Sequence, residues 1–524
     1  MTTQITLNPE QQAAVDSTVA ARSICLIGAA GTGKTTTLKT CLRELLASER
    51  LAPLSQSTEN LRAGAPGVVL VSYTRRAVRN IAKQMDEQLK SHCMTIHKLL
   101  EFGPVKYEEE LPDGTIVNKM RFEPSRNSGN PLPRELTTIV IDEASMVSTD
   151  LFDLLMDALP IPSQVQFIFL GDLNQLPPIY GMSILGVKLL ELPIIELTRV
   201  YRQALESPII ALALAVKNNN FASFNKDAET LWKAPHHWDA KRVTEKTELH
   251  SPGRGKVTLV PWKTEFDAEY SLKAISKKLP EWINTGFYSP DEDLMLCPWN
   301  ESFGTVELNK HVAQYLGQQR GAEVWEVIAG FNKYYLAVGD KMMVEKQEAI
   351  VYDIQRNNKY LGVPPRNPSK TMDRWGKDRE PTQGNAGSAM TEQDIDDLLE
   401  FAAESVEDRT AQSSAIVKVR ILDTGETLIL DKAAQLNNSS LGYAITVHKA
   451  QGSEARKVIF LTAKCHAAML SRELVYTAIT RAQEELVILH DPTMFSRAAS
   501  RPRIKGDTLK DKLEFFLSRL KEKL

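Results

Sequence analysis

Short apolar runs separated by amphipathic stretches set the rhythm of the first third of the chain. Residues 23–28 (SICLIG), 67–72 (GVVLVS), 138–142 (TIVID) and 165–171 (VQFIFLG) are β-rich and apolar on both faces. Between them, residues 76–89 and 149–158 repeat apolar positions with helical spacing. Two-faced strands alternating with helices predict a parallel sheet covered on both sides. The same cadence returns at 293–298 (DLMLCP), 457–462 (KVIFLT) and 485–490 (ELVILH), which predicts a second α/β unit split by an insertion. No short-period repeat runs through the chain, which argues against a solenoid.

Two stretches break the pattern. In residues 104–130 a Pro-Asp-Gly turn separates alternating runs and predicts an inserted β-hairpin. Residues 367–414 are polar and read as a loop with one acidic helix at 392–404. The flanking segments 336–352 and 415–430 are strand-like and predict a small inserted β-barrel. At the end of the chain, Leu509, Leu513, Phe516, Leu520 and Leu524 form one helical stripe with Lys and Arg opposite, as in a helix packed on the protein.

Composition narrows the class. At roughly 150 residues per domain, 524 residues make about three or four units. An apolar share of 43% and a charged share of 25% fit a packed protein and exclude wholesale disorder. No apolar run approaches the ~20 residues of a membrane span, and the N-terminal residues do not read as a signal peptide, so no membrane partner is expected. Cys25, Cys41, Cys93, Cys297 and Cys465 are scattered, and His236 and His237 are adjacent. Neither set has metal-ligand or disulfide spacing, and a reducing cytoplasm is the expected compartment. The net charge of −3 rules out a general basic coat but not a local basic groove.

Candidate chemistry begins at Gly28-Ala-Ala-Gly31-Thr-Gly33-Lys34-Thr35, a G-x-x-x-x-G-K-[ST] loop between the strand ICLI and a helical run beginning at Thr36. Its glycines let backbone amides curl around phosphate, and the following helix N-terminus favours anions. Lys34 is placed for the β and γ phosphates and the Thr35 hydroxyl for Mg2+. A second apolar strand ends in Asp142-Glu143, where Asp142 suits the metal and Glu143 the attacking water. Only one such loop serves two α/β units, so the nucleotide is expected between them. The second unit should then supply arginines to the γ-phosphate, with Arg202 and Arg481 as candidates.

On these residues the sequence resembles the superfamily 1 DNA helicases of the RecD/Dda-like (1B) branch. The resemblance runs from about Leu7 to Leu489, in the family's motif order. Gln11, in LNPEQ, resembles the adenine-reading Q motif. Residues 72–77 (SYTRRA) resemble motif Ia, and 95–99 (TIHKL) the segment after it. Residues 170–178 (LGDLNQLPP) resemble motif III, and 201–203 (YRQ) motif IV. Residues 446–454 (TVHKAQGSE) resemble motif V and 475–482 (VYTAITRA) motif VI.

The resemblance implies an α/β fold with two RecA-like parallel-sheet P-loop domains, 1A at 1–200 and 2A at 201–335 plus 440–500. A 1B hairpin is implied near 104–130, an SH3-like 2B barrel at 336–439, and a C-terminal helix at 501–524. Catalytic roles are implied for Lys34, Glu143, Gln175, Arg202 and Arg481. Nucleotide contacts are implied for Gln11, Gly28, Gly31, Gly33, Lys34, Thr35, Thr36, Gly452 and Glu454, and metal contacts for Thr35 and Asp142. Ser72, Thr74, Arg75, Thr95, His97, Thr446 and His448 are implied on the DNA path. ATP and Mg2+ are the implied cofactors. Single-stranded DNA, forked duplex DNA, and replication or recombination proteins are the implied partners.

The activity so implied is ATP-driven 5′-to-3′ translocation and duplex unwinding. An RNA helicase or non-unwinding translocase shares its phosphate contacts. A nucleotide-dependent partner-binding switch would differ in showing no stimulation of hydrolysis by single-stranded DNA.

Overall fold

A computed structural model describes residues 7–47, 52–53, 67–110, 116–178, 181–200, 206–218, 247–251, 254–262, 264–301, 303–330, 332–344, 347–360, 412–422 and 425–523. Arg202, the hairpin tip Pro112-Asp113-Gly114, His236, His237 and the expected acidic helix at 392–404 lie outside these residues.

The first sheet contains β1 (Ile24–Gly28), β2 (Ala52–Pro53), β3 (Gly67–Ser72), β4 (Cys93–Thr95), β7 (Leu136–Asp142), β8 (Gln166–Gly171) and β9 (Ile194–Leu197). Its order is β2-β3-β7-β8-β1-β9, with β4 beside β3, and every pairing is parallel. Alternate residues explain why these runs read as continuously apolar. Leu26, Leu70, Val140 and Ile168 face one core with Leu38 and Leu42, whereas Ile27, Val71, Ile141 and Phe169 face another with Leu151 and Leu185. Between β4 and β7, β5 (Phe102–Glu110) and β6 (Ile116–Pro124) pair as an antiparallel hairpin.

The second sheet contains β10 (Thr247–Ser251), β11 (Gly255–Pro261), β12 (Leu294–Cys297), β20 (Ala444–Thr446), β21 (Ala455–Leu461) and β22 (Ala482–His490). The order is β10-β11-β22-β21-β12-β20, parallel except for the β10–β11 edge. It too is covered on both faces, by a cluster around Leu296, Phe460 and Ile488 and another around Met295, Ile459 and Val487. Chain between β12 and β20 pairs β13 (Trp325–Ala329) with β14 (Asn332–Leu336). It also builds an antiparallel sheet from β15 (Lys341–Val344), β16 (Gln347–Arg356), β17 (Gln412–Ile421), β18 (Thr427–Lys432) and β19 (Ser440–Leu441). Val351, Val417 and Val419 lie in its separate core.

Two sequence expectations need correction. The amphipathic run 76–89 is not one helix: Arg75–Gln84 ends at an extended Met85, and a short helix, Glu87–Lys90, follows Asp86. The Asp86 carboxylate accepts from Arg43 Nε at 2.6 Å and Arg43 Nη2 at 2.8 Å, a long-range contact that local periodicity cannot report. The C-terminal helix Leu509–Lys523 does pack on the protein, but Lys512 departs from its polar face and is buried. No described helix is long and apolar enough to cross a membrane.

Candidate active site between two sheets

Parallel strands bring their carboxyl ends to one edge, so loops distant in sequence converge there. In the first sheet that edge gathers Gly28 at the end of β1, Ser72 at the end of β3, Asp142 at the end of β7 and Asp172 just after β8. Ser72 and Asp142 are register partners.

The phosphate loop turns through Gly31 (φ 80) and Gly33 (φ 84), left-handed conformations that favour glycine. Thr32 Oγ1 donates to the Ala29 carbonyl (2.9 Å), and a side chain at Gly28 would strike that hydroxyl. Lys34 Nζ donates to the Gly28 (2.6 Å) and Ala29 (3.2 Å) carbonyls, which places the ammonium across the mouth of the loop. Helix Lys34–Ala47 follows directly and carries Thr35 and the exposed Thr36 in its first turn.

Opposite the loop, burial and then the adjacent Glu143 charge raise the Asp142 carboxyl well above the usual range, while Lys34 pulls it down. Glu143 is left-handed (φ 51), an uncommon backbone for a non-glycine residue. Two adjacent carboxylates, one poorly solvated, favour a hard divalent cation there. Among the described residues no cluster of three or more His, Cys, Asp or Glu could hold a metal. Thr35 and Asp142 could hold such a cation, with phosphate and water supplying its remaining oxygens.

The second sheet closes the site through helix Arg472–Ile479. The fully buried Tyr476 hydroxyl accepts from the Ala30 amide (3.0 Å) and donates to Asp172 Oδ2 (2.6 Å). Thr477 Oγ1 accepts from the Leu176 amide (3.0 Å), and Gln451 Nε2 donates to the Leu176 carbonyl (2.9 Å). Just past that helix, Arg481 is only 4% exposed. Its guanidinium donates to the Thr477 and Ser453 carbonyls (both 3.1 Å) and the Thr480 hydroxyl (3.2 Å), and among the described residues it pairs with no carboxylate. A buried cation held only by neutral acceptors is suited to a ligand anion. Gln175 is buried too, and its Oε1 has no hydrogen-bond partner.

Two model families match the chain in the same order as these loops. The first, described as an AAA domain, matches residues 11–181, and the second, a UvrD-like helicase C-terminal domain, matches residues 441–489. The ATP-dependent RecD2 DNA helicase of Deinococcus radiodurans is 26% identical over 509 residues, or 96% of this chain and 52% of that protein. Over almost its whole length the chain is similar to a RecD-like helicase.

The chain spans about half the length of the Deinococcus relative. RecBCD enzyme subunit RecD of Mycolicibacterium smegmatis is 24% identical over 96% of this chain and 74% of its own length. A crystal structure of Bacteroides Pif1 bound to single-stranded DNA covers 94% of both chains at 15% identity, with a TM-score of 0.44.

Other sequence-derived family positions fall in varied settings. Gly452 (φ 72) lies against the N-terminus of helix Arg75–Gln84, where an added Cβ would meet Ala77 Cβ at 2.6 Å, and its carbonyl accepts from Asn80 Nδ2 (2.7 Å). Glu454 is exposed and accepts from Gln483 Nε2 (2.8 Å). Gln11 is buried in a reciprocal capping box with Asn8, its Oε1 accepting the Asn8 amide (3.1 Å).

Among the expected DNA-path residues, Thr74 and Thr95 cap short helices, and Arg75 is exposed at the start of helix Arg75–Gln84. The His97 ring packs between Tyr73 and Phe102. Thr446 Oγ1 accepts the Lys449 amide (3.2 Å). Burial, then the charge of Arg503, depress the His448 imidazole to about 4, so it is neutral near pH 7. Ser72 does not join this surface: it is 0% exposed beside Asp142, and its Oγ has no partner. Sequence reasoning also passed over Asn80, Asp172, Gln451, Tyr476 and Thr477. All except Asn80 stand inside the recognised motif strings, but nothing local marks them as contacts between the two sheets.

Proposed function

We propose that the chain is an ATP-dependent DNA helicase that hydrolyses ATP between its two sheets and moves 5′-to-3′ along single-stranded DNA. The observation that carries this reading is Tyr476, which joins the phosphate-loop amide of Ala30 to Asp172 from the opposite unit. Nucleotide occupancy felt at the loop is thereby felt by both units.

In hydrolysis, Glu143 takes a proton from the attacking water as the new P–O bond forms and the β–γ bridging bond breaks. Gln175 orients that water, and Lys34 and Arg481 neutralise the oxygens that gain charge. Thr35 and Asp142 would hold Mg2+, which supplies further charge neutralisation when bound. Arg202 is proposed as a second arginine at the γ-phosphate from its sequence position. Thr74, Arg75, Thr95, His97, Thr446 and His448 are proposed to line the DNA path, and Gly452 to carry closure from one unit to the helix Arg75–Gln84.

Directed motion requires two states that grip the strand differently. Contacts such as Asn80 with Gly452 can change as the units approach or part. The 1B hairpin is proposed as the element past which the strands separate.

Forked duplexes carrying either a 5′ or a 3′ single-stranded tail test the reading. The wild-type chain should unwind only the 5′-tailed substrate, and Glu143→Gln should bind ATP without unwinding. Unwinding from the 3′ tail alone would overturn the polarity. Hydrolysis unaffected by single-stranded DNA would favour a switch, and stronger stimulation by RNA would move the substrate class.

A further inference from the structure

We propose that Lys512, on the C-terminal helix, is a positioning residue for ATP hydrolysis that fixes the Asp172–Gln175 loop through Asn174. This rests on the ATPase reading above and adds to it an element outside the recognised motifs.

The contact is specific. Lys512 is 8% exposed, whereas Lys510, Arg519 and Lys521 of the same helix face solvent. Its Nζ donates to Asn174 Oδ1 (2.7 Å) and the Leu173 carbonyl (3.3 Å). Asn174 in turn donates to Asp172 Oδ1 from Nδ2 (2.7 Å) and from its backbone amide (2.9 Å). The other oxygen of Asp172 accepts the Tyr476 hydroxyl that also takes the Ala30 amide. One hydrogen-bonded path therefore runs from the C-terminal helix through Asn174, Asp172 and Tyr476 to the phosphate loop, and Gln175 is the next residue along.

Burying an ammonium is unfavourable, and burial depresses the Lys512 amine despite the charges of Asp172 and Glu473. A methionine of similar length would fill the space without that cost, so packing alone does not explain a lysine here. The helix is also seated firmly. The Phe516 ring occupies the space where a side chain on Gly186 would lie, and Gly506 (φ 108) turns the chain close against Asp511. A fixed helix gives the ammonium a fixed position. Gln175, whose Oε1 has no protein partner, depends on the loop for its aim.

The test uses the full chain with Lys512→Met, Asn174→Ala and the double variant, and exposed Lys510→Met as control. DNA-stimulated kcat should fall about tenfold in each single variant, as expected when a reacting group is misplaced, with KM for ATP within about twofold. Amide exchange at 173–175 should quicken. The double variant should be no slower than the worse single, because both cut one path. Lys512→Arg, which keeps the charge and donors, should recover part of the loss. An unchanged kcat in Lys512→Met, or losses that multiply in the double variant, would overturn the proposal. If the wild-type chain hydrolyses no ATP, the ATPase reading fails first and this proposal falls with it. An active wild type with a fully active Lys512→Met defeats this proposal alone.

Discussion

The Tyr476 hydroxyl accepts a 3.0 Å hydrogen bond from the Ala30 amide, so a side chain of the second unit completes the phosphate loop of the first. Tyr476→Phe keeps the ring and its packing but leaves Ala30 N–H and Asp172 Oδ2 each short of a partner. Leaving such buried groups unpaired costs about 1–3 kcal/mol. The expected outcome is a drop of about tenfold or more in DNA-stimulated kcat, with a smaller change in affinity for single-stranded DNA. Steady-state hydrolysis and fluorescence anisotropy check it.

Gly452→Ala tests how closely the units must approach. A side chain there would adopt a left-handed backbone at about 1–2 kcal/mol and press on Ala77. The expected result is weakened coupling: ATP still binds, but stimulation by single-stranded DNA falls severalfold. Equal stimulation in variant and wild type would show that the contact is not used.

Arg481→Lys preserves charge but not the planar fork that reaches three oxygens at once. Arginines that stabilise phosphoryl transfer contribute on the order of 10³–10⁵ in kcat. The substitution should remove most hydrolysis while nucleotide binding persists, measured with a fluorescent nucleotide analogue. Tm should fall modestly, because a lysine cannot satisfy all three buried acceptors.

Acid stability has a defined sign. Burial depresses His448, His466 and His490 each to about 4, below the ordinary imidazole value of 6.5. Between those values the unfolded chain takes up protons that the folded chain does not, so stability falls as pH drops from about 6.5 towards 4. His490 has both ring nitrogens buried without hydrogen bonds. His490→Leu should be close to neutral at pH 7.5 and stabilising relative to wild type at pH 5.5, as read by thermal unfolding at the two pH values.

Much of the fold was legible because its central strands are buried on both faces. The run GVVLVS carries four consecutive apolar residues and is observed as β3 over Gly67–Ser72. The phosphate loop was legible because its glycines answer a local conformational need, met at Gly31 and Gly33. The joints between units were not. Tyr476 and Asp172 are 304 residues apart in sequence, and a tyrosine inside an apolar helix reads as core until its hydroxyl is seen to have partners on the other unit. Lys512 misled for a related reason: a lysine on an amphipathic helix reads as solvated, and only tertiary structure brings Asn174 over it. Ser72 erred in the other direction. The resemblance of residues 72–77 to motif Ia implied a phosphate contact, whereas the sheet register sets Ser72 beneath the surface against Asp142.

Arg76 carries a consequence for how the cleft can work. It is nearly buried in the first unit, yet its guanidinium meets Glu348 of β16 at 2.6 Å and the Met343 sulfur at 3.3 Å. The sheet holding Glu348 and Met343 is an insertion rooted in the second unit, so one module is covalently attached to one side of the cleft and ion-paired to the other. It is a strap between the two units. Any opening that parts the two sheets must release this pair or carry the inserted module with the first unit, which makes the width of the stroke a property of the insertion as well as of the nucleotide.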